Sequence, residues 1–298
     1  MAILSSLLFF LIRMIIIKMK SKILKKLLDF LEEDIPFGDI TSSIIPVDKN
    51  INARIEAREN LKMFGIQYAG LLLDYFGIQH RFLKKDGEWV RKGEKIATLN
   101  GNARQILQLE RTVLNLLAHL SGITTLTHFF VMKAKAVNPA VKIACTRKTL
   151  PGLRFFEKEA CLAGGADPHR FSLSDMILIK DNHIKILGGV EQALKEAKRF
   201  ASFTKKIEIE VENKEDALKA AEMGADIIML DNMEPHKIRE IIVLLEKKKV
   251  REKVILEASG GINLGNIEEY AKTRVDIISV GRITYGAYHC DISMEVEE

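Results

Sequence analysis

The chain has 298 residues, 47% of them hydrophobic and 29% charged, with a net charge of +5. That size allows two modest domains or a barrel with an attached domain, and the composition is that of a soluble globular protein rather than a disordered one. The mild positive charge suits an acidic small molecule; with no basic run interleaved with aromatics it carries no nucleic-acid signature, and three widely spaced cysteines, Cys145, Cys161 and Cys290, give neither a zinc site nor a disulfide framework and fit a reducing, cytoplasmic setting.

Residues 1–18, MAILSSLLFFLIRMIIIK, are almost all apolar, with Arg13 inside the run. The stretch is short and interrupted for a transmembrane helix. It also lacks the charge order and cleavage site of a signal peptide. It reads as an upstream extension or a misplaced start, with a membrane-surface anchor as the alternative.

From residue 19 the pattern is regular. Ile23, Leu24, Leu27, Leu28 and Leu31 recur at helical spacing until Pro36 and Gly38 break the run. GDITS at 38–42 is a turn with a polar cap, and residues 51–59 alternate like a half-buried strand. Residues 65–76 read as a helix, and 86–101 as strand, tight turn and strand, with glycines where a hairpin reverses. A long helical pattern then covers residues 102–135.

Beyond residue 141 short apolar runs alternate with helical stretches. The runs lie at 142–148, 176–181, 207–212, 226–232, 254–261 and 276–282. Six βα units predict a parallel sheet covered by helices. No GxGxxG opens the first unit and every run ends on polar residues, which favours barrel-like closure over an open dinucleotide-binding sheet. In such a barrel all strand C-termini open on one face, and that face holds the active site.

The strand ends sort by charge. Arg147, Lys148, Arg170 and Lys180 form a cationic set, in which arginine forks match carboxylate or phosphate oxygens in pairs and lysines add mobile point charges. Such a set predicts a ligand with several negative charges. Glu212 and Asp231, at the ends of neighbouring strands, are hard oxygen donors suited to magnesium with a phosphorylated substrate. Ser259, Gly260 and Gly261, with Val280 and Gly281, end the last two strands, where barrels bind phosphate through backbone N–H groups. His169, in the GGADPHR turn, has the chemistry to donate to an anionic oxygen or to move a proton, whereas His183 in KDNHI reads as a packing residue or as one that supports a neighbouring site residue. With no nucleophile elbow, zinc spacing or Walker lysine, the chemistry reads as binding and charge stabilisation.

The segment CTRKTLPGLRFFEKEACLAGGADPHRFSLSDMILIKDNHI (145–184) resembles the central signature of quinolinate phosphoribosyltransferases. GDITS, ERTVLNLL (110–117), EVEN (210–213), MLDN (229–232), EASGGI (257–262) and SVGRIT (279–284) match in order. The resemblance implies an N-terminal α/β-sandwich domain over 19–117, an open α/β barrel of the type II phosphoribosyltransferase class over 118–283, and a tail, 284–298, that returns to the first domain. It implies transfer of phosphoribosyl from phosphoribosyl pyrophosphate to quinolinate with loss of carbon dioxide. By position it assigns quinolinate to Thr146, Arg147, His169, Arg170 and Lys180, and to Arg111 reaching in from a neighbouring subunit of a dimer or a hexamer built of dimers. Lys148 would touch both substrates, and Glu212 and Asp231 would hold the ribose hydroxyls and the magnesium-bound pyrophosphate. Ser259, Gly260, Gly261, Gly281, Arg282 and Thr284 would cradle the 5′-phosphate. The chain departs from the pattern at Ala166, where a third glycine is usual, and at Tyr285-Gly286, where His-Ser is common. The first departure also resembles ModD-type relatives with another substrate; a non-catalytic phosphometabolite-binding barrel is the remaining alternative.

Overall fold

The structure is a computed structural model that describes residues 20–297; the extension and anchor readings of residues 1–18 lie outside the described residues. The strands in chain order are β1 (Asn50–Ala57), β2 (Leu61–Lys62), β3 (Gln79–Phe82), β4 (Trp89–Val90), β5 (Lys95–Asn102), β6 (Lys142–Cys145), β7 (Ile177–Ile179), β8 (Ile207–Val211), β9 (Ile227–Asp231), β10 (Ile255–Ser259), β11 (Ile277–Val280) and β12 (Ile292–Glu297). The helices are α1 (20–34), α2 (Ile66–Tyr75), α3 (Ala103–Val137), α4 (Arg154–Ala163), α5 (Asp181–Leu187), α6 (Val190–Phe200), α7 (Lys214–Glu222), α8 (Pro235–Lys247), α9 (Ile267–Ala271) and α10 (Arg282–Tyr285). The chain divides after Gly122 and again before Tyr288, so that the first unit holds both chain ends and the second is Ile123–Ala287.

The first unit is built on an antiparallel sheet of order β12-β1-β5-β3. Period-two alternation puts Ala53, Ile55 and Ala57 of β1 into the core, and β12 pairs along β1 from Ala57↔Ile292 to Asn52↔Glu297. The hairpin expected over 86–101 does not form as a pair. Gly93 donates its N–H to the Ala57 carbonyl and Ala57 donates to that of Glu94, which ties the turn to the end of β1. As a result β4 pairs with β2, while β5 pairs with β1 and β3. Neither β2 nor β3 is visible in the sequence, because the one is two residues long and the other alternates polar residues with only half-buried ones.

The second unit carries six parallel strands in the order β6-β11-β10-β9-β8-β7, each followed by a helix. Among the described residues no ladder joins the edge strands β6 and β7 to each other; a single bridge, Ala144↔Asp167, sits beside β6. The barrel is therefore open. Residues of one parity, such as Ile209 of β8, Ile228 and Leu230 of β9, Leu256 and Ala258 of β10 and Ile278 of β11, are fully buried. They face the helix layer, whose buried positions include Ala217, Ala220, Ile238, Leu245 and Ile267. Residues of the other parity point into the barrel, and this alternation positions the site.

Candidate active site

A cavity of about 770 Å³ opens at the C-terminal ends of the six strands, within the size range of small-molecule sites. Thr146, Arg147 and Lys148 reach it from the segment after β6, His169 and Arg170 from the GGADPHR loop, and Lys180 from the end of β7. Glu210 and Glu212 come from β8 and its following turn, Asp231 from β9, and Ser259, Gly260 and Gly261 from β10. The cations foreseen from separate segments thus line one pocket.

Arg147 and Arg170 stand close enough to repel. Arg170 is 9% exposed, and burial, then the charge of Arg147, hold its pKa below the ordinary guanidinium value. The Nε of Arg147 is buried with no hydrogen-bond partner. Two arginines held together in this state form a site for an anion, because planar forks that lack a carboxylate of their own are relieved by an acidic ligand. Lys180 is paired with a carboxylate, its Nζ 2.6 Å from Glu210 Oε1. Burial raises the pKa of Glu210 and of Asp231, and each is opposed by Lys180; Asp231 is pushed up further by Glu212.

The loop after β10 is shaped by close approach. Gly260 has φ +91°, and a Cβ there would lie 2.1 Å from Oδ1 of Asn232, whose own N–H donates to the Ser259 carbonyl at 2.9 Å. Only glycine fits both the left-handed backbone and the contact. The loop after β11 differs from the sequence expectation. Gly281, Arg282 and Thr284 do not line the cavity. Thr284 is buried, and its hydroxyl donates to the Lys148 carbonyl at 2.6 Å and lies 3.0 Å from that of Gly281, so it anchors the backbone of Lys148 instead of facing a phosphate. A Cβ on Gly281 would press on Lys148 Cδ at 3.0 Å. Arg282 is exposed on α10. Of the two departures from the family pattern, Ala166 is buried at 2% exposure, and the Tyr285 ring centroid lies 6.0 Å from Lys148 Nζ.

Other residues sit apart from their expected places or were not anticipated. Arg111 is exposed on α3, in the first unit, and is not among the cavity's lining residues. His183 takes the supporting one of its two expected places: in the first turn of α5, its Nδ1 accepts the Lys180 N–H at 2.9 Å. Glu208 and Lys158 carry no weight in a reading based on strand ends, and Glu210, itself such an end, is given no separate role by it. The signal for the glutamates is the period of two in IEIEV, which puts Glu208 and Glu210 on the face of Glu212. Lys158, fully buried on α4, reaches the Pro168 carbonyl and lies 3.7 Å from Cys145 Sγ. That thiol is pushed down to about 7 by a hydrogen bond from Cys161, against burial, and by the charge of Lys158. The donor atoms of His169, Glu208 and Glu257 lie within 4.8 Å of one another.

Residues 39–121 match the model of the quinolinate phosphoribosyl transferase N-terminal domain and residues 123–295 that of its C-terminal domain. A Methanocaldococcus jannaschii protein named "Probable nicotinate-nucleotide pyrophosphorylase (carboxylating)" is 48% identical over 278 residues, covering 92% of this chain and 96% of that one. One of the same name from Methanothermobacter thermautotrophicus is 46% identical over 269 residues, covering 90% and 96%. The solved nicotinate-nucleotide pyrophosphorylase of Francisella tularensis superposes with a TM-score of 0.86 at 36% identity, covering 93% of this chain and 97% of that one.

Proposed function

The chain belongs to the quinolinate phosphoribosyl transferase family, and from that premise we propose how its cavity carries out the reaction. The protein is an enzyme of NAD biosynthesis that transfers phosphoribosyl from phosphoribosyl pyrophosphate to quinolinate with decarboxylation, giving nicotinate mononucleotide, pyrophosphate and carbon dioxide. The observation that carries the reading is the convergence of Arg147, His169, Arg170 and Lys180, from three separate segments, on one cavity whose lining also holds carboxylates and a glycine turn.

In this reading the two arginines, His169 and Lys180 hold the two carboxylates of quinolinate and aim its ring nitrogen at C1 of the ribose, with Thr146 beside them. Lys148, on the same rim, meets the charge that develops as the C1–pyrophosphate bond breaks. Glu212 and Asp231 would hold the ribose hydroxyls, and a nearby carboxylate, that of Glu210 or Asp231, would steady an oxocarbenium-like sugar. Once the nitrogen is bonded to C1, its positive charge stabilises the electron pair left on C2 as the 2-carboxylate leaves as carbon dioxide, and a proton from water then bonds to C2 to give nicotinate mononucleotide. Ser259, Gly260 and Gly261 present backbone N–H groups for the 5′-phosphate. A divalent cation fits beside Glu212 and Asp231, since burial and mutual repulsion disfavour the Asp231 anion; magnesium held there through the pyrophosphate would neutralise leaving-group charge.

The working unit in this reading is a dimer or a hexamer built of dimers, in which exposed Arg111 completes a neighbour's cavity. Three cysteines, none in a disulfide among the described residues, suit a cytoplasmic setting. The direct test is turnover of quinolinate, phosphoribosyl pyrophosphate and magnesium, read as carbon dioxide release and nucleotide formation, with nicotinate in parallel. Use of nicotinate in place of quinolinate, without carbon dioxide, would overturn the substrate assignment.

A further inference from the structure

Behind the His169 ring lie two acids that the transfer chemistry above leaves without a role. Glu208 of β8 and Glu257 of β10 are both 0% exposed. His169 Nε2 lies 3.2 Å from Glu257 Oε2 and 3.6 Å from Glu208 Oε2. Both oxygens of Glu208 and Oε1 of Glu257 have no hydrogen-bond partner. Two buried carboxylates beside one another cannot both carry charge uncompensated, because desolvation and like-charge repulsion act together. One imidazolium and one proton balance the set.

The neighbours on each packed element fit that balance. Glu208 is pushed up to about 8, by burial first and then by Glu257, with His169 and Arg170 opposing and Glu210 adding to the rise. For His169 burial lowers the pKa, but the hydrogen bond and charge of Glu257, with Glu208 behind it, outweigh burial and the repulsion of Lys158. Lys158 of α4 directs its ammonium to the Pro168 carbonyl, one residue before His169, and towards Cys145 of β6, and so pins the backbone of the loop. His169 itself has φ +52°, with its N–H given to Asp167 Oδ1 at 2.7 Å. Its Nδ1 has no partner among the described residues.

We propose that Glu208 and Glu257 are positioning residues for the transfer: sharing one proton, they hold the His169 ring charged and turned so that Nδ1–H is offered to a carboxylate of the bound pyridine dicarboxylate. The role of the ring towards quinolinate rests on the function proposed above; the state of the ring in the ligand-free protein does not. An acid behind a histidine sets which nitrogen carries the proton and where the ring points. The acid pair acts through His169 and does not touch the substrate.

The test pairs kinetics with spectroscopy on the full chain. Wild type, Glu257→Gln and Glu257→Asp are assayed from pH 6 to 9 for kcat and for KM of each substrate. Removing the anion lowers the His169 pKa, so Glu257→Gln should move the alkaline limb of kcat/KM for quinolinate to lower pH. Its KM for quinolinate should rise about tenfold or more as a charge-assisted contact is lost, with KM for phosphoribosyl pyrophosphate nearly unchanged and partial rescue by Glu257→Asp. Equal changes in both KM values, or an unmoved alkaline limb, would overturn the proposal. In parallel, 15N-histidine spectra of the ligand-free wild type, assigned with His169→Asn, should show both ring nitrogens of His169 protonated at pH 7. A neutral ring there overturns the proposal however the variants fold. A stoichiometric Zn²⁺ or Mn²⁺ bound by wild type and lost in Glu208→Gln overturns it in favour of a metal site. A charged His169 in a protein that does not turn over quinolinate would sink the substrate reading and leave the acid pair's hold on the ring standing.

Discussion

Lys148 stands at the rim of the cavity with its carbonyl held by Thr284 and its ammonium near the Tyr285 ring. The side chain is exposed and has no carboxylate partner within ion-pair distance among the described residues, so its charge is left for the substrates. Lys148→Ala should lower kcat by roughly 10² to 10³, about 3–4 kcal/mol of transition-state stabilisation, while the thermal midpoint stays at the wild-type value; turnover at the wild-type rate would remove Lys148 from the mechanism. Glu208 makes the opposite kind of residue, buried and costly. Its folded pKa, about 8, is above the ordinary value of 4.5, so the folded state binds the proton more tightly than the unfolded state does. Its stabilising contribution is complete below about 4.5 and is lost as pH rises towards 8 and beyond. Thermal melts at pH 5, 7 and 9 should therefore show wild type losing stability relative to Glu208→Gln as pH rises, and a constant difference would exclude the raised pKa.

At the scale of elements, one strand and one loop do most of the positioning. β8 carries Glu208 and Glu210 on its barrel face, with Glu212 in the turn that follows, and the three grade from buried through half-buried to exposed, so a single alternating run supplies the acid under His169, the partner of Lys180 and the outermost pocket carboxylate. The GGADPHR loop is set by its first glycine. A Cβ on Gly164 would meet Thr127 Cβ at 2.5 Å and the Thr124 carbonyl at 2.8 Å on α3. Gly164→Ala should therefore cost about 1–3 kcal/mol through overpacking, read as a lower urea midpoint, and should also raise KM for quinolinate because His169 and Arg170 ride on the displaced loop. An unchanged midpoint would show that α3 yields at no cost.

At the scale of the whole molecule, the cavity lies within the second unit, while Arg111 belongs to the first and is exposed there. If Arg111 serves a neighbouring subunit, two inactive variants should complement each other. Arg111→Ala and Lys148→Ala, each nearly inactive alone, should recover about a quarter of wild-type activity when their subunits are mixed and reassociated, since half of the dimers are mixed and each of these has one intact site. No recovery under conditions that exchange subunits would place Arg111 outside the active site.

The sequence alone determined the six βα units, the long helix and the cluster of cations at strand ends, because local periodicity and the intolerance of a core for charge are written residue by residue. Through the family pattern it also implied that the tail of the chain returns to the first domain. It did not disclose that β4 would leave β5 for β2, since pairing depends on where the turn at Gly93 is tied to β1. Nor did it separate Thr284, turned inward onto Lys148, from a phosphate ligand, or bring Glu208 and Glu257 together from strands 49 positions apart in the chain. Those are decisions of tertiary structure, because which neighbour meets a side chain across a barrel is fixed by strand order and register, and no local pattern encodes either.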